Sequence, residues 1–349
     1  MPETLRRSST LSIRWEDGSL VCEDYLTRRR AAITADMVGL LERFSRPTKI
    51  QRVVRAAGED GPHVRRAIGL LRKMGFLKTA TSPAERRLAR WPWGHSARQY
   101  VFGTKDAHRY QPQTRRLRHA EGLMRAGRQP ALYKDYKGRR RIALVRPALV
   151  SETNRTLSRI RNCRDFRGGS ISKAALSEIL HLTWGEQEKV HPAPWGTLLE
   201  KTSYSGGNRH PVEVYPVVID VEGLAPGLYH YSVRRHALEL LKRGDFSSLV
   251  RRIGNGQEWI RGVSAAFLMT AVWARTMFKY RHEYVSRTVF CDVGHLSQSL
   301  YVSANALNLG ACTTYALSHS AAESCLDIDG VDESFLTLSV VGRPRVLRT

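Results

Sequence analysis

The 349-residue chain has no C-x-x-C pair; its five cysteines (Cys22, Cys163, Cys291, Cys312 and Cys325) are scattered and odd in number. Neither a disulfide framework nor a zinc ribbon is suggested, so free thiols are expected. No G-x-G-x-x-G follows a strand pattern, no Walker loop is present and no histidine pair has zinc-helix spacing. These absences argue against a dinucleotide fold of that kind, a P-loop enzyme and a zinc peptidase, and no metal is expected. The chain also lacks a run of about 18 or more apolar residues, and Met1 to Leu20 has no apolar stretch of the secretory type. The expectation is a cytoplasmic chain with no membrane partner.

Acidic residues are scarce in the first half. Residues 1–150 carry 33 Lys and Arg against 13 Asp and Glu, whereas residues 151–349 carry 23 against 19. The whole chain has a formal charge of +24, and nearly all of the excess therefore lies in residues 1–150. A basic half attracts polyanions, either nucleic acid or an acidic peptide, and charge alone does not choose between them.

Within that half, Met37, Leu40, Leu41 and Phe44 recur at helical spacing, and Pro47 stops them. Ile50, Val53 and Val54 restart the pattern. Val64, Ala67, Ile68, Leu71 and Met74 form a third stripe, which Gly75 ends before Phe76-Leu77-Lys78. Three short helices followed by a hairpin outline a winged helix-turn-helix. Such a unit could bind DNA through Arg65, Arg66, Arg72 and Lys73, take up a peptide as an added strand, or simply pack with a solvated charged face. Trp91-Pro-Trp93 and Tyr100-Val-Phe102 suggest an aromatic cluster joining this unit to its neighbour. The expected division is a basic N-terminal domain over 1–108, an arginine-crowded connector over 109–150, and a second domain over 151–349.

From Ser151 onward helices and strands alternate. Ser172 caps a helix running to Leu182, Val212 to Val218 is a strand rich in β-branched residues, and Leu228–Tyr231 with Ala237–Leu241 forms a hairpin. Ala265 to Trp273 reads as a buried strand, Asp292 to Leu307 as a long helix, and Leu336 to Val341 as a last strand. The fold class is α+β.

Three stretches carry chemistry. The first is Arg161-Asn-Cys-Arg-Asp-Phe166, whose guanidinium groups suit phosphate, although R-x-x-R by itself is usually surface. The second is Ser203-Tyr-Ser-Gly-Gly-Asn-Arg-His-Pro-Val-Glu-Val-Tyr215. Here Gly206-Gly207 would let the backbone approach a flat ligand, or would simply make a tight turn before a strand. The third is Lys279-Tyr280, with Tyr284, Cys291-Asp-Val-Gly-His-Leu-Ser-Gln298 and Asn308-Leu-Gly-Ala-Cys312; unaided, Lys279 reads as a surface lysine beside a packed tyrosine.

Taken in order, these stretches resemble the nitroreductase superfamily and, within it, the SagB-type dehydrogenases that act on ribosomally made peptides. The likeness runs from about Arg159 to Arg345 and includes Gly223-Leu-Ala-Pro-Gly-Leu-Tyr-His-Tyr231. Asn162 and Ser299 depart from the usual Ser and Asn of the family pattern. The resemblance implies a nitroreductase-like FMN-binding fold. FMN would be held by Arg161, Asn162, Arg164, Ser205, Gly206, Gly207, Gln298, Gly310 and Arg343, and Lys279 and Tyr280 would be catalytic. It further implies a homodimer, a precursor peptide as substrate, cyclodehydratase-type partner enzymes, and oxidation of thiazoline or oxazoline to the azole. The alternatives are NAD(P)H-dependent reduction of dehydroamino acids, or a basic DNA- or peptide-binding protein with an inactive flavin domain.

Overall fold

The computed structural model describes residues 3–106, 150–191 and 196–346, with a few scattered positions between 115 and 133. Most of the connector expected over 109–150 therefore lies outside the described residues.

The N-terminal part opens with β1 (Thr4–Arg7), followed by a meander of β2 (Leu11–Glu16), β3 (Ser19–Asp24) and β4 (Arg29–Ala32). Then come α1 (Ala35–Glu42), β5 (Thr48–Lys49), α2 (Ile50–Arg55), α3 (Gly61–Lys73) and β6 (Leu77–Lys78). The apolar stripes read from the sequence meet here: Leu40, Leu41, Phe44, Val53, Ile68 and Leu71 are buried in one cluster with Leu5 and Phe76. Thr34 caps α1 by accepting the Met37 amide.

The hairpin expected after the third helix is not formed. Leu77 and Lys78 pair antiparallel with Arg7 and Arg6 of β1, which also pairs with β5, so the third strand of this small sheet comes from the N-terminus. Arg65, Arg66 and Lys73 are exposed on α3, while Arg72 pairs with Glu3 at 2.7 Å.

Two further helices, α4 (Pro83–Ala89) and α5 (His95–Gly103), leave this unit. Ser82 and Glu85 form a reciprocal capping box at the start of α4. Trp91, Trp93, Val101 and Phe102 are buried in the same core as Trp273, Val289 and Val293 of the second half. The Trp91 ring lies 5.5 Å from Trp273, and Tyr100 lies 5.7 Å from Phe290. The aromatic cluster thus joins the two halves, as the sequence suggests.

The second half contains α6 (Glu152–Arg159), α7 (Lys173–Trp184), β7 (Glu186–Val190), β8 (Leu198–Lys201), β9 (Val212–Val218), β10 (Gly227–Ser232) and β11 (Ala237–Arg243). It continues with α8 (Ser247–Ile253), β12 (Ala265–Val272), α9 (Trp273–Lys279), α10 (Ser286–Ala306), β13 (Gly310–Thr314), α11 (His319–Leu326) and β14 (Glu333–Gly342). Six strands form one sheet in the order β11-β10-β9-β12-β14-β13, and every pairing is antiparallel. One face is covered by α7 and α10, with Leu176, Ile179, Val293 and Leu300 buried against it. The other is covered by α8 and α11 through Val250, Ile253, Ala322 and Leu326. A central sheet between helical layers is an α+β architecture.

Candidate functional site

The long helix α10 is the spine of the site. Its buried Asp292 accepts the Ser205 hydroxyl at 2.7 Å and the Gly206 amide at 3.0 Å, clamping the turn that precedes β9. Burial raises the Asp292 pKa, and the two donors from the turn oppose that rise. Ser205 in turn accepts the His210 amide at 2.9 Å, which closes the turn on itself.

Both glycines are required by close approach. A Cβ on Gly206 would collide with the Thr288 methyl group, and one on Gly207 with the Tyr280 hydroxyl. Gly207 also has φ +65°, the left-handed region that glycine favours. The turn predicted from Gly206-Gly207 is therefore present, and it brings Tyr280 and Ser205 to one place. Lys279 follows, with its Nζ 5.3 Å from the centre of the Tyr280 ring. The Tyr280 backbone is held by Trp93, whose Nε1 donates to the Tyr280 carbonyl at 3.0 Å.

The arginine segment lies along a different part of α10. Residues 161–164 run beside β13, where Asn162 bridges Ala311 and the Cys163 amide donates to the Ala311 carbonyl at 2.9 Å. Tyr301 of α10 locks this seam, donating to Asn162 Oδ1 at 2.5 Å and accepting the Thr313 amide at 2.8 Å. Gly310 is small because of this approach, since a Cβ there would sit 2.5 Å from Cys163 Sγ.

Arg161 turns back to the Ser158 and Ile160 carbonyls, Arg164 lies 5.9 Å over the Trp259 ring, and Arg343 donates to the Ser170 carbonyl at 2.7 Å. Among the described residues, no carboxylate lies within 4.0 Å of Arg161, Arg164, Arg167 or Arg343. Arg343 and Arg167 border the loop of Gly168 and Gly169 rather than the Asn162 seam.

Gln298 is exposed on α10, one turn from His295, which meets the exposed Tyr204 ring edge-on at 5.3 Å. Ser299, where the family pattern has Asn, lies 2.7 Å from the Ser203 hydroxyl and so ties α10 to the strand-end before the turn. The site residues thus form two groups, the turn with Tyr280 and Lys279, and the arginine seam with Asn162 and Gly310; α10 touches both.

Sequence reasoning assigned no role to Asp292 or Tyr301. Asp292 is an acid inside an otherwise apolar helix stripe, which is the signal that could have drawn attention to it. Among the described residues no group of three or more His, Cys, Asp or Glu is arranged to hold a metal ion, and no helix is long and apolar enough to cross a membrane.

An antiparallel six-stranded sheet between helical layers, with a glycine turn clamped to the long helix, is the frame that positions these residues. The chain belongs to the nitroreductase family, whose model matches residues 158–343. It is 30% identical over 177 residues to the trifolitoxin-processing protein TfxB of Rhizobium leguminosarum bv. trifolii, a match covering 50% of this chain and 48% of that protein. The chain thus spans about half the length of that relative. It is 27% identical over 183 residues to a nitroreductase homologue of Methanocaldococcus jannaschii, covering 52% of this chain and 86% of that one. Among solved structures, the Escherichia coli microcin synthetase McbBCD complex with truncated pro-MccB17 bound contains a chain of the same fold. That likeness has a TM-score of 0.50 and 17% identity, and it covers 65% of this chain and 82% of that one.

Proposed function

We propose that the chain is an FMN-dependent oxidoreductase of the SagB type that matures a ribosomally made precursor peptide by oxidising a thiazoline or oxazoline to the azole. The observation that carries this reading is the turn at Ser205–Asn208, clamped by Asp292 and packed against Tyr280, with Lys279 beside it. The 30% identity to a protein named for processing a peptide toxin supports the substrate class.

The donor set fits FMN. Arg161 and Arg164, flanking Asn162 in sequence, and Arg343 at the Gly168-Gly169 loop have no carboxylate partner among the described residues and are suited to a phosphate. Ser205, Gly206, Gly207 and Gly310 would serve the ring and its chain, and Gln298 its exposed edge. When bound, FMN supplies the two-electron acceptor that such an oxidation requires. The part left to this chain is acid-base chemistry and positioning. Lys279 or Tyr280 would take the Cα proton of the azoline, and the clamped turn would fix the ring against them.

The exposed stripe of Cys291, His295 and Gln298 on α10, next to the exposed Tyr204, is the face through which a homodimer would form. Cyclodehydratase-type enzymes would supply the azoline.

The test begins with the absorption spectrum of the purified protein and identification of the cofactor released on denaturation. Stoichiometric FMN is expected. Lys279→Ala and Tyr280→Phe should keep the FMN while losing about 100-fold or more in azoline oxidation, the usual scale for a general acid or base. A protein that cannot be loaded with FMN overturns the reading.

A further inference from the structure

A cavity of about 400 Å³ opens among β7, β8, the end of the clamped turn, β9, β10 and α9. Its wall carries four cationic side chains, Lys201, Arg209, Arg234 and Arg275, against two carboxylates, Glu186 and Glu213. Both carboxylates are already engaged. Glu213 is ion-paired with Arg275 and accepts from His230 Nε2 at 3.1 Å, and Glu186 lies 3.3 Å from Lys189.

Of the four cations, only Arg275 has a carboxylate partner among the described residues. The Lys201 side chain is half-buried, and among the described residues no hydrogen bond or ion pair within 4.0 Å reaches its ammonium group. Burial lowers its pKa, opposed by the more distant charge of Glu213. His210 beside it offers no negative charge. Burial and the Lys201 charge push its pKa down to about 4, and its Nε2 is 2.9 Å from the Leu199 carbonyl. Arg209 Nη1 is buried with no hydrogen-bond partner among the described residues, and an incoming anion supplies the acceptor it lacks.

The cavity adjoins the proposed catalytic pair. Asn208 and Arg209, which line it, follow directly on Gly207, where the Tyr280 hydroxyl packs. Arg275 lies one helical turn before Lys279 on α9, so both project from the same side of that helix.

We propose that this cavity is a carboxylate subsite, in which Lys201 and Arg209 hold an acidic side chain or the C-terminal carboxylate of the peptide whose neighbouring residue reaches Tyr280. As a substrate subsite it rests on the function proposed above; as an anion site it does not.

The test is calorimetric titration of the purified full chain with N-acetyl-Gly-Gly as the free acid, N-acetyl-Glu-N-methylamide, N-acetyl-Gly-Gly-amide and inorganic phosphate, with flavin absorbance recorded on the same samples. At least one acid is expected to bind about ten-fold or more tightly than the amide, a difference set by one charge-assisted contact. Which acid wins distinguishes a terminal from a side-chain carboxylate. The preference should vanish in Lys201→Met and Lys201→Gln and persist in Lys201→Arg. No difference between acids and amide, a preference that survives loss of the ammonium, or phosphate binding tighter than either acid would overturn the proposal. A flavin-containing protein without discrimination removes the subsite and leaves the oxidoreductase reading. Discrimination in a protein that takes up no FMN does the reverse.

Discussion

Glu85 illustrates what a single buried charge does in this fold. It is 2% exposed, yet it accepts the Ser9 and Ser82 amides at 3.0 and 2.9 Å and the Ser8 hydroxyl at 3.0 Å, with Lys78 at 3.5 Å. Burial alone would raise its pKa. The amides, Lys78 and Ser8 overcome that and bring it from 4.5 down to about 2. Because the folded value lies below the unfolded one, the stabilisation is fully present above about pH 4.5 and is lost as the pH falls toward 2. Glu85→Gln should therefore lower the unfolding free energy at pH 7 by on the order of 3 kcal/mol, a deficit that shrinks at pH 3. Urea unfolding at the two pH values measures it, and a pH-independent deficit would refute the electrostatic account. The local half of this arrangement carries a sequence signal, S-x-x-E before a helix, although no helix is read there from the sequence. That signal could not reveal Ser8, which lies 77 residues away. The same limit hid Asp292, whose partners Ser205 and Gly206 are 87 and 86 residues distant.

At the scale of elements, legibility followed the strength of local pattern. β9 runs Val212–Val218 as read, because alternating β-branched residues leave little choice, and Ser172 caps α7 by accepting the Ala175 amide. The strands β1 to β4 were not anticipated. They are short, and charged residues interrupt their apolar alternation, so only their tertiary pairing makes them strands. The long helix begins at Ser286, six residues before the expected Asp292, since Val285, Ser286 and Val289 are buried by neighbours the sequence does not display.

The segment between α4 and α5 has the most direct bearing on the site. Trp93 is fully buried, edge-on to Trp91 and Trp273 at 5.8 and 5.9 Å, and it holds the carbonyl of Tyr280. Trp93→Phe keeps most of the packing and removes only that donor. It should cost about 1 kcal/mol in stability, while Trp93→Ala costs roughly 3–5 kcal/mol. In the phenylalanine variant, turnover should fall several-fold with FMN content unchanged, because the Tyr280 backbone loses its tether. Unchanged turnover would mean that the tether is structural only.

At the scale of the whole molecule, the boundary between the halves by charge differs from the boundary by packing. The excess of basic residues ends near residue 150, but the hydrophobic core of the second half reaches back to include Tyr25, Leu88, Trp91, Trp93, Ala97, Val101 and Phe102. Lys105 reinforces this junction, its ammonium 2.5 Å from Glu323 and 2.7 Å from the Gly330 carbonyl. Large buried side chains each contribute about 1.5–3 kcal/mol, so removing four or five of them costs about 6–15 kcal/mol, comparable to the whole 5–15 kcal/mol by which a typical domain is stable. Two truncations separate the alternatives. A chain beginning at Ser82 retains α4, α5 and every aromatic contact to Trp273, and should unfold cooperatively. A chain beginning at Ser151 leaves Trp273 and Phe290 uncovered and Tyr280 untethered, and should show weak or no cooperative melting by circular dichroism. If the shorter fragment folded as well as the longer one, the aromatic segment would be an ornament of the N-terminal unit. If only the longer one folds, the helices around Trp93 are part of the fold of the second half itself, and the strands and helices before Ser82 are not needed for it.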